Sequence, residues 1–70
     1  MDTFELVNQI KVQRAIRNLT QEELAEQIGV TRKTINTIET GRFVPSAILA
    51  IRLARFFSLT VEELFEVIEK

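Results

Sequence analysis

The chain has 70 residues, of which 46% are apolar and 27% charged, and its formal net charge is −1. This length and composition predict one domain, residues 1–70, with a packed core and no room for a second domain. The sequence contains neither cysteine nor histidine, which excludes disulfides, thiolate or imidazole metal sites and imidazole-activated nucleophiles. We therefore expect no enzyme activity, no metal and no cofactor.

The distribution of charge along the chain is uneven. Residues 28–55 contain five basic residues and one acid, whereas the segments on either side are net acidic. No apolar run approaches the length of a membrane span, and the first three residues lack the basic start of a signal peptide. We expect a soluble cytoplasmic protein without a membrane partner, whose basic charge is concentrated in the middle of the chain.

Capping and turn residues predict five short helices. The first helix is expected from Asn8 to about Arg17, where Asn18 can adopt the left-handed closing conformation. The second helix follows a capping box, in which Thr20 precedes Glu23 by three residues.

The next boundaries are marked in the same way. Gly29 ends the second helix as a left-handed glycine, and Thr31 caps a third helix that stops at Gly41. A fourth helix follows Ser46 and is expected to run to about Phe57.

The two ends of the chain allow two interpretations. A second capping box, Thr60 with Glu63, begins a fifth helix with an apolar stripe formed by Val61, Leu64, Phe65 and Ile68. Residues 3–7 either extend the first helix or form a short strand, and residues 65–69 can leave the helix and pair with them. The predicted fold is therefore all-α, a compact arrangement of five helices, with short terminal β-pairing as the alternative.

The second and third helices form a helix-turn-helix candidate, with the motif over about residues 20–40. Only Gly29, Val30 and Thr31 separate the two helices, and Gly29 can supply the positive φ of the turn. Ala25 provides a small side chain where two steeply crossing helices meet. Apolar residues lie where such a pair must face the core: Leu24, Ile28, Val30, Ile35 and Ile38.

One face of the third helix is basic or hydrogen-bonding at every position. This face consists of Arg32, Lys33, Asn36, Thr37 and Thr40, and the acid Glu39 lies at its edge toward the core. A DNA major groove requires cationic and amide groups, with no carboxylate facing the phosphates. An ordinary solvated face is the alternative, and the spacing of the turn favours DNA binding.

The stretch LTQEELAEQIGVTRKTINTIETGRFVPS resembles the phage repressor and Cro-type helix-turn-helix of the xenobiotic-response-element family of transcriptional regulators. The resemblance continues through LAIRLARFFSLTVEELF and is strongest to short stand-alone regulators without a ligand-sensing domain. It implies sequence-specific binding of double-stranded DNA, with the third helix in the major groove. The implied regulator is a repressor that acts as a homodimer on a two-fold symmetric operator, with no small-molecule ligand.

The resemblance also implies roles for single residues. Base reading would fall to Arg32, Lys33, Asn36 and Thr37. Phosphate contacts would fall to Gln21, Thr31, Thr34, Thr40 and Arg42, with Gln21 also supporting the third helix. The sequence departs from the family pattern at Thr40, where Asn is frequent, and at Ser58, where Gly usually closes the fourth helix.

Arg14 lies on the core side of the first helix, where an unpaired charge is costly. Glu39 is the available partner, and the resemblance implies the same pair, which would clamp the first helix onto the third. A phosphate contact by Arg14 is the alternative, and both roles can coexist.

The apolar C-terminal segment predicts a dimer interface formed by Leu64, Phe65 and Ile68, because a short helix needs only part of this surface to dock. Two other functions remain open at this level. One is an antitoxin that binds DNA and neutralises a partner protein. The other is a protein-binding adaptor or coactivator with the acidic C-terminal segment as its contact surface.

Overall fold

The computed structural model describes residues 3–69, which form five helices and a two-stranded sheet. The helices are α1 (Ile10–Ile16), α2 (Gln21–Ile28), α3 (Arg32–Glu39), α4 (Ala47–Phe56) and α5 (Val61–Leu64). The strands are β1 (Phe4–Asn8) and β2 (Phe65–Glu69), at the two ends of the described chain.

Side-chain caps determine where four of these helices begin. The hydroxyls of Thr20, Thr31, Ser46 and Thr60 each accept a hydrogen bond from the backbone N–H three residues further on, at 3.0–3.2 Å. Each bond satisfies one of the N–H groups that the first turn leaves without a partner in the helix. Thr20 and Thr60 form complete capping boxes with Glu23 and Glu63. The predicted starts of α2 to α5 are therefore confirmed.

The sheet corrects the all-α prediction at both termini. β1 and β2 pair antiparallel, with Phe4 opposite Glu69, Leu6 opposite Val67 and Asn8 opposite Phe65. The predicted fifth helix therefore ends at Leu64 and does not continue to Ile68. Pairing with β1 satisfies the backbone of residues 65–69 as a ladder, so the alternative of terminal β-pairing is the observed one.

The start of the first helix is also corrected. α1 begins at Ile10 because Asn8 is the last residue of β1. The side-chain Oδ1 of Asn8 accepts from the Ile10 backbone N–H at 3.1 Å, and its Nδ2 donates to the Ile38 carbonyl at 3.0 Å. One asparagine thus links the sheet to the start of α1 and to the last turn of α3.

The core consists of apolar side chains from every helix: Ile10, Leu24, Ala25, Ile28, Ile35, Ile38, Leu53, Ala54, Phe57, Leu64 and Phe65. Leu64 and Phe65 are 0% and 7% exposed, so these two residues stabilise the monomer and are not available as a dimer interface. Leu64 is the last residue of α5 and Phe65 is the first residue of β2, so both side chains reach the core at the junction of these two elements. Of the three residues predicted for the dimer interface, only Ile68 remains on the surface, at 39% exposure.

None of the helices within residues 3–69 is long and apolar enough to cross a membrane.

Candidate nucleic-acid interface

The turn between α2 and α3 depends on one left-handed glycine. Gly29 has φ 85° and donates its backbone N–H to the Ala25 carbonyl at 2.8 Å, which closes α2. Ala25 is 3% exposed, and Ile35 and Ile38 on the inner face of α3 are 0% and 1% exposed. The two helices therefore pack through small and apolar side chains, and this packing holds α3 at the surface.

The outward face of α3 carries the predicted base-reading residues. Arg32, Lys33 and Asn36 are exposed, and Thr37 is half-buried. The carboxylate of Glu39, which is the one acid of α3, is turned inward, and its side chain is 5% exposed. The exposed surface of α3 thus presents two cations and an amide without a competing negative charge.

The threonine hydroxyls of this region are already engaged with neighbouring groups. The Thr37 hydroxyl lies 3.0 Å from the backbone carbonyl oxygens of Lys33 and Thr34. The Thr40 hydroxyl donates to the backbone carbonyl of Asn36 at 2.9 Å. The Thr31 and Thr34 hydroxyls lie 2.9 Å apart. Because Thr37 and Thr40 donate their hydroxyl hydrogens to backbone carbonyls, they offer a ligand their hydroxyl oxygens and methyl groups. Of the Thr31 and Thr34 hydroxyls, only one donates to the other.

Gln21, the first residue of α2, reaches across to α3. Its Nε2 donates to Asn36 Oδ1 at 3.1 Å and to Glu39 Oε1 at 3.2 Å. An open groove beside it is lined by Gln21, Arg32, Lys33 and Asn36, and the adjoining groove includes Arg14 and Thr20. The structure therefore brings Gln21 together with three of the four predicted base-reading residues.

Arg14 and Glu39 form the inner pair beneath this surface. Arg14 Nε donates to Glu39 Oε2 at 2.6 Å, and Nη2 donates to Oε1 at 3.0 Å. A third nitrogen of the guanidinium, Nη1, donates to the Leu19 carbonyl at 2.8 Å. The hydrogen bond to Glu39 raises the pKa of Arg14 against the opposing effect of desolvation. The pair joins α1 to α3 and fixes the loop before α2.

Arg42 lies at the other end of α3, in the loop that leads to α4. Its backbone N–H donates to the Thr37 carbonyl at 2.9 Å, and the residue is exposed. Arg42 is not among the residues that line the two grooves around Gln21.

Sequence reasoning missed the role of Asn8, whose amide holds the last turn of α3. The only signal was a polar residue next to an apolar segment, and this pattern is equally typical of a helix cap. The described residues hold no group of acids arranged to bind a metal ion.

Comparison with known proteins shows a helix-turn-helix family. The helix-turn-helix family model HTH_3 matches residues 10–64. An uncharacterized HTH-type transcriptional regulator of Methanocaldococcus jannaschii is 48% identical over 58 residues, covering 83% of this chain and 88% of that protein. The uncharacterized HTH-type transcriptional regulator YgzD of Bacillus subtilis is 43% identical over 58 residues, with the same coverage of 83% and 88%.

A solved crystal structure from Bacteroides fragilis has the same architecture. It is named as a candidate DNA-binding protein, is 28% identical, and superposes with a TM-score of 0.76 over 87% of this chain and 98% of that chain. The family match covers the capped helices, the turn at Gly29 and the exposed face of α3 together. The chain belongs to the Cro/C1-type helix-turn-helix family, and the relatives it matches are named as transcriptional regulators.

Proposed function

We propose that this DNA-binding regulator is a sequence-specific repressor that inserts α3 into the major groove. The observation that supports this proposal is the exposed face of Arg32, Lys33 and Asn36, with Glu39 withdrawn into an ion pair. Arginine and lysine suit guanine edges, and asparagine suits adenine. Repression requires only that the bound protein block access to promoter DNA, so it needs no surface beyond the DNA-binding face.

Phosphate contacts on either side of α3 would fix its depth and orientation in the groove. Gln21 stands at the N-terminus of α2, and Thr31 and Thr34 stand at the N-terminus of α3. Both helix ends favour anions because their first N–H groups point outward. Thr40 and Arg42 would contact the backbone at the opposite end of α3. These contacts set the register, whereas base reading sets the sequence.

A homodimer on a two-fold symmetric operator is the assembly that we propose. The terminal sheet exposes apolar side chains: Phe4 is 63%, Val67 62% and Ile68 39% exposed. Phe43 and Val44, in the loop after α3, are also exposed and line a groove with Phe4. Clustered apolar exposure of this kind is typical of interaction surfaces. With Leu64 and Phe65 in the core, the candidate interface is the sheet face that carries Phe4 and Val67. Ile68 lies on the opposite face, because successive strand residues alternate between the two faces.

Selection of bound sequences from a random duplex pool tests the function directly. The expected result is a defined site whose binding weakens steeply with salt, because phosphate contacts release counterions. Arg32→Ala and Asn36→Ala should each cost about 1–3 kcal/mol on that site and relax the preference at one or two base pairs. Arg55→Ala is the matched control, since Arg55 is exposed on α4 and has no role in the proposed interface.

Two results would contradict the proposal. Unchanged binding by Arg32→Ala and Asn36→Ala would exclude α3 as the reading helix. An absence of duplex binding at low salt would favour a protein-binding adaptor instead. In a transcription assay with purified polymerase, the protein should reduce the transcript from a promoter that contains the selected site. An increase in this transcript would contradict repression and indicate an activator.

A further inference from the structure

Four side chains form a continuous chain of hydrogen bonds from α1 to the exposed face of α3. The chain begins at Arg14, whose guanidinium contains only donors, and passes to Glu39, whose carboxylate contains only acceptors. The side chains of this pair are 13% and 5% exposed, so water competes little for these bonds. The direction of the first link is therefore fixed by chemistry.

The second and third links follow from the first. Oε1 of Glu39 also accepts from Gln21 at 3.2 Å, and because a carboxylate cannot donate, Gln21 must turn its amide nitrogen toward it. The same nitrogen donates to Asn36 at 3.1 Å. Asn36 must then turn its oxygen toward α2 and its NH₂ group away from it.

We infer that Glu39, acting through Gln21, is a positioning residue that sets the base preference of Asn36. An asparagine amide reads a base edge with one donor and one acceptor side by side, and a 180° flip reverses their order. Held in one orientation, the amide matches one order of donor and acceptor in the major groove. Released from Gln21, it can present either order. The inference rests on the proposed function, because it concerns how the proposed base reader discriminates.

The main test replaces the link between the two helices. Gln21→Met keeps the length of the side chain and removes its donors, while Arg14 and Glu39 keep their pair. Dissociation constants are measured with the selected duplex and with its three alternatives at the base pair where Asn36→Ala loses preference. The discrimination at that base pair should fall about fivefold in Gln21→Met, the equivalent of one neutral hydrogen bond.

The pattern of loss separates positioning from a general effect. Loss of a phosphate contact by Gln21 weakens binding to all four duplexes equally and leaves the ratios of their dissociation constants unchanged. The ratios at base pairs read by Arg32 should also stay constant in Gln21→Met. In the Asn36→Ala background, Gln21→Met should have no further effect on discrimination. Gln27→Met is the matched control, because Gln27 is an exposed residue of the same helix.

Glu39→Gln tests whether the carboxylate of Glu39 sets the orientation of the Gln21 amide. It preserves the shape of the side chain but adds a donor, so the orientation of Gln21 is no longer imposed. It should reduce discrimination at the same base pair as Gln21→Met, with thermal melting used to verify that the protein is folded. A second readout needs no DNA: the side-chain amide resonance of Asn36 in the free protein should shift in Gln21→Met and not in Gln27→Met.

The outcomes distinguish this inference from the proposed function. A wild-type chain without any base preference would overturn the function and the inference together. A preference that Asn36→Ala relaxes but Gln21→Met retains would overturn the inference alone. Loss of discrimination at every base pair in Gln21→Met would also overturn it, since that result indicates a displaced helix.

Discussion

Arg14 and Glu39 meet in a two-bond ion pair, 2.6 Å and 3.0 Å long, that joins α1 to α3. The same guanidinium holds the Leu19 carbonyl, and the same carboxylate holds Gln21. The pair therefore connects the scaffold of the domain with the side chains of its exposed face. It also removes the one negative charge of α3 from the surface that we propose to contact DNA.

Breaking the pair of Arg14 and Glu39 should destabilise the folded protein. Arg14→Ala or Glu39→Ala leaves a shielded charge without its partner, and each should lower the free energy of unfolding by about 3–5 kcal/mol. The double substitution should be less damaging than the sum of the two, because it removes both charges. Urea denaturation of the three variants gives the coupling energy. Additive losses of a few tenths would mean that the pair contributes nothing in solution.

Arg42 is expected to affect DNA affinity differently from Arg32. Because Arg42 is assigned to the phosphate backbone, Arg42→Ala should weaken binding to cognate and random duplexes alike and reduce the salt slope by about one. Arg32→Ala should instead weaken cognate binding more than random binding. Fluorescence anisotropy over a range of salt concentrations measures both effects. A selective loss of cognate binding in Arg42→Ala would assign this residue to base reading.

The capping box of α2 should contribute to acid sensitivity. The bonds from the Thr20 backbone N–H and side chain lower the pKa of Glu23 in the folded protein. A lowered pKa gives a contribution that is present above the ordinary glutamate value of about 4.3 and is lost as the pH falls through the lower folded-state pKa.

Glu23→Gln preserves the acceptor of the capping box and removes the titration. Unfolding free energies measured from pH 6 down to pH 3 should therefore fall less steeply in this variant than in the wild type. Glu26→Gln, in the same helix but outside its first turn, is the matched control for the loss of one negative charge. Equal slopes in all three proteins would show that the box is open in solution.

Ser58 closes α4 in a conformation that suits glycine. Its φ is 58°, and the left-handed region costs an ordinary residue about 1–2 kcal/mol. Ser58→Gly should raise the free energy of unfolding by about 0.5–1 kcal/mol, because the added freedom of glycine in the unfolded chain offsets part of the gain. Asn18→Gly is the comparison, since Asn18 has φ 54° but asparagine tolerates this region better. A larger gain at Asn18 would contradict the explanation.

The parts of the fold that the sequence predicts correctly are the local ones. The caps at Thr20, Thr31, Ser46 and Thr60 and the glycine turn at Gly29 each depend on contacts within a few residues. The pairing of Arg14 with Glu39 spans 25 positions, and there the cost of a buried charge limited the choice of partner.

The terminal sheet could not be predicted from contacts between residues that are close in sequence. The segments at residues 4–8 and 65–69 have patterns that suit a helix or a strand, and the choice depends on pairing between opposite ends of the chain. For the same reason, Leu64 and Phe65 could be recognised as apolar but not divided between the core and an interface. The sequence predicts Asn8 as the start of the first helix, but in the structure its amide donates to the Ile38 carbonyl 30 positions away, a contact that no local pattern indicates.

The proposed homodimer leads to the last prediction. Sedimentation at micromolar concentration should give a dimer. Footprints should show two half-sites about 10 base pairs apart from centre to centre, because the recognition helices of such a dimer lie about 34 Å apart. Val67→Glu places a charge on the exposed sheet and should weaken dimerisation by at least about tenfold, while binding to a single half-site is retained. Val12→Glu is the control, because Val12 is a valine of similar exposure, 51%, on α1 and not in the sheet. A monomeric wild type with an asymmetric footprint would exclude the dimer and leave the reading helix unaffected.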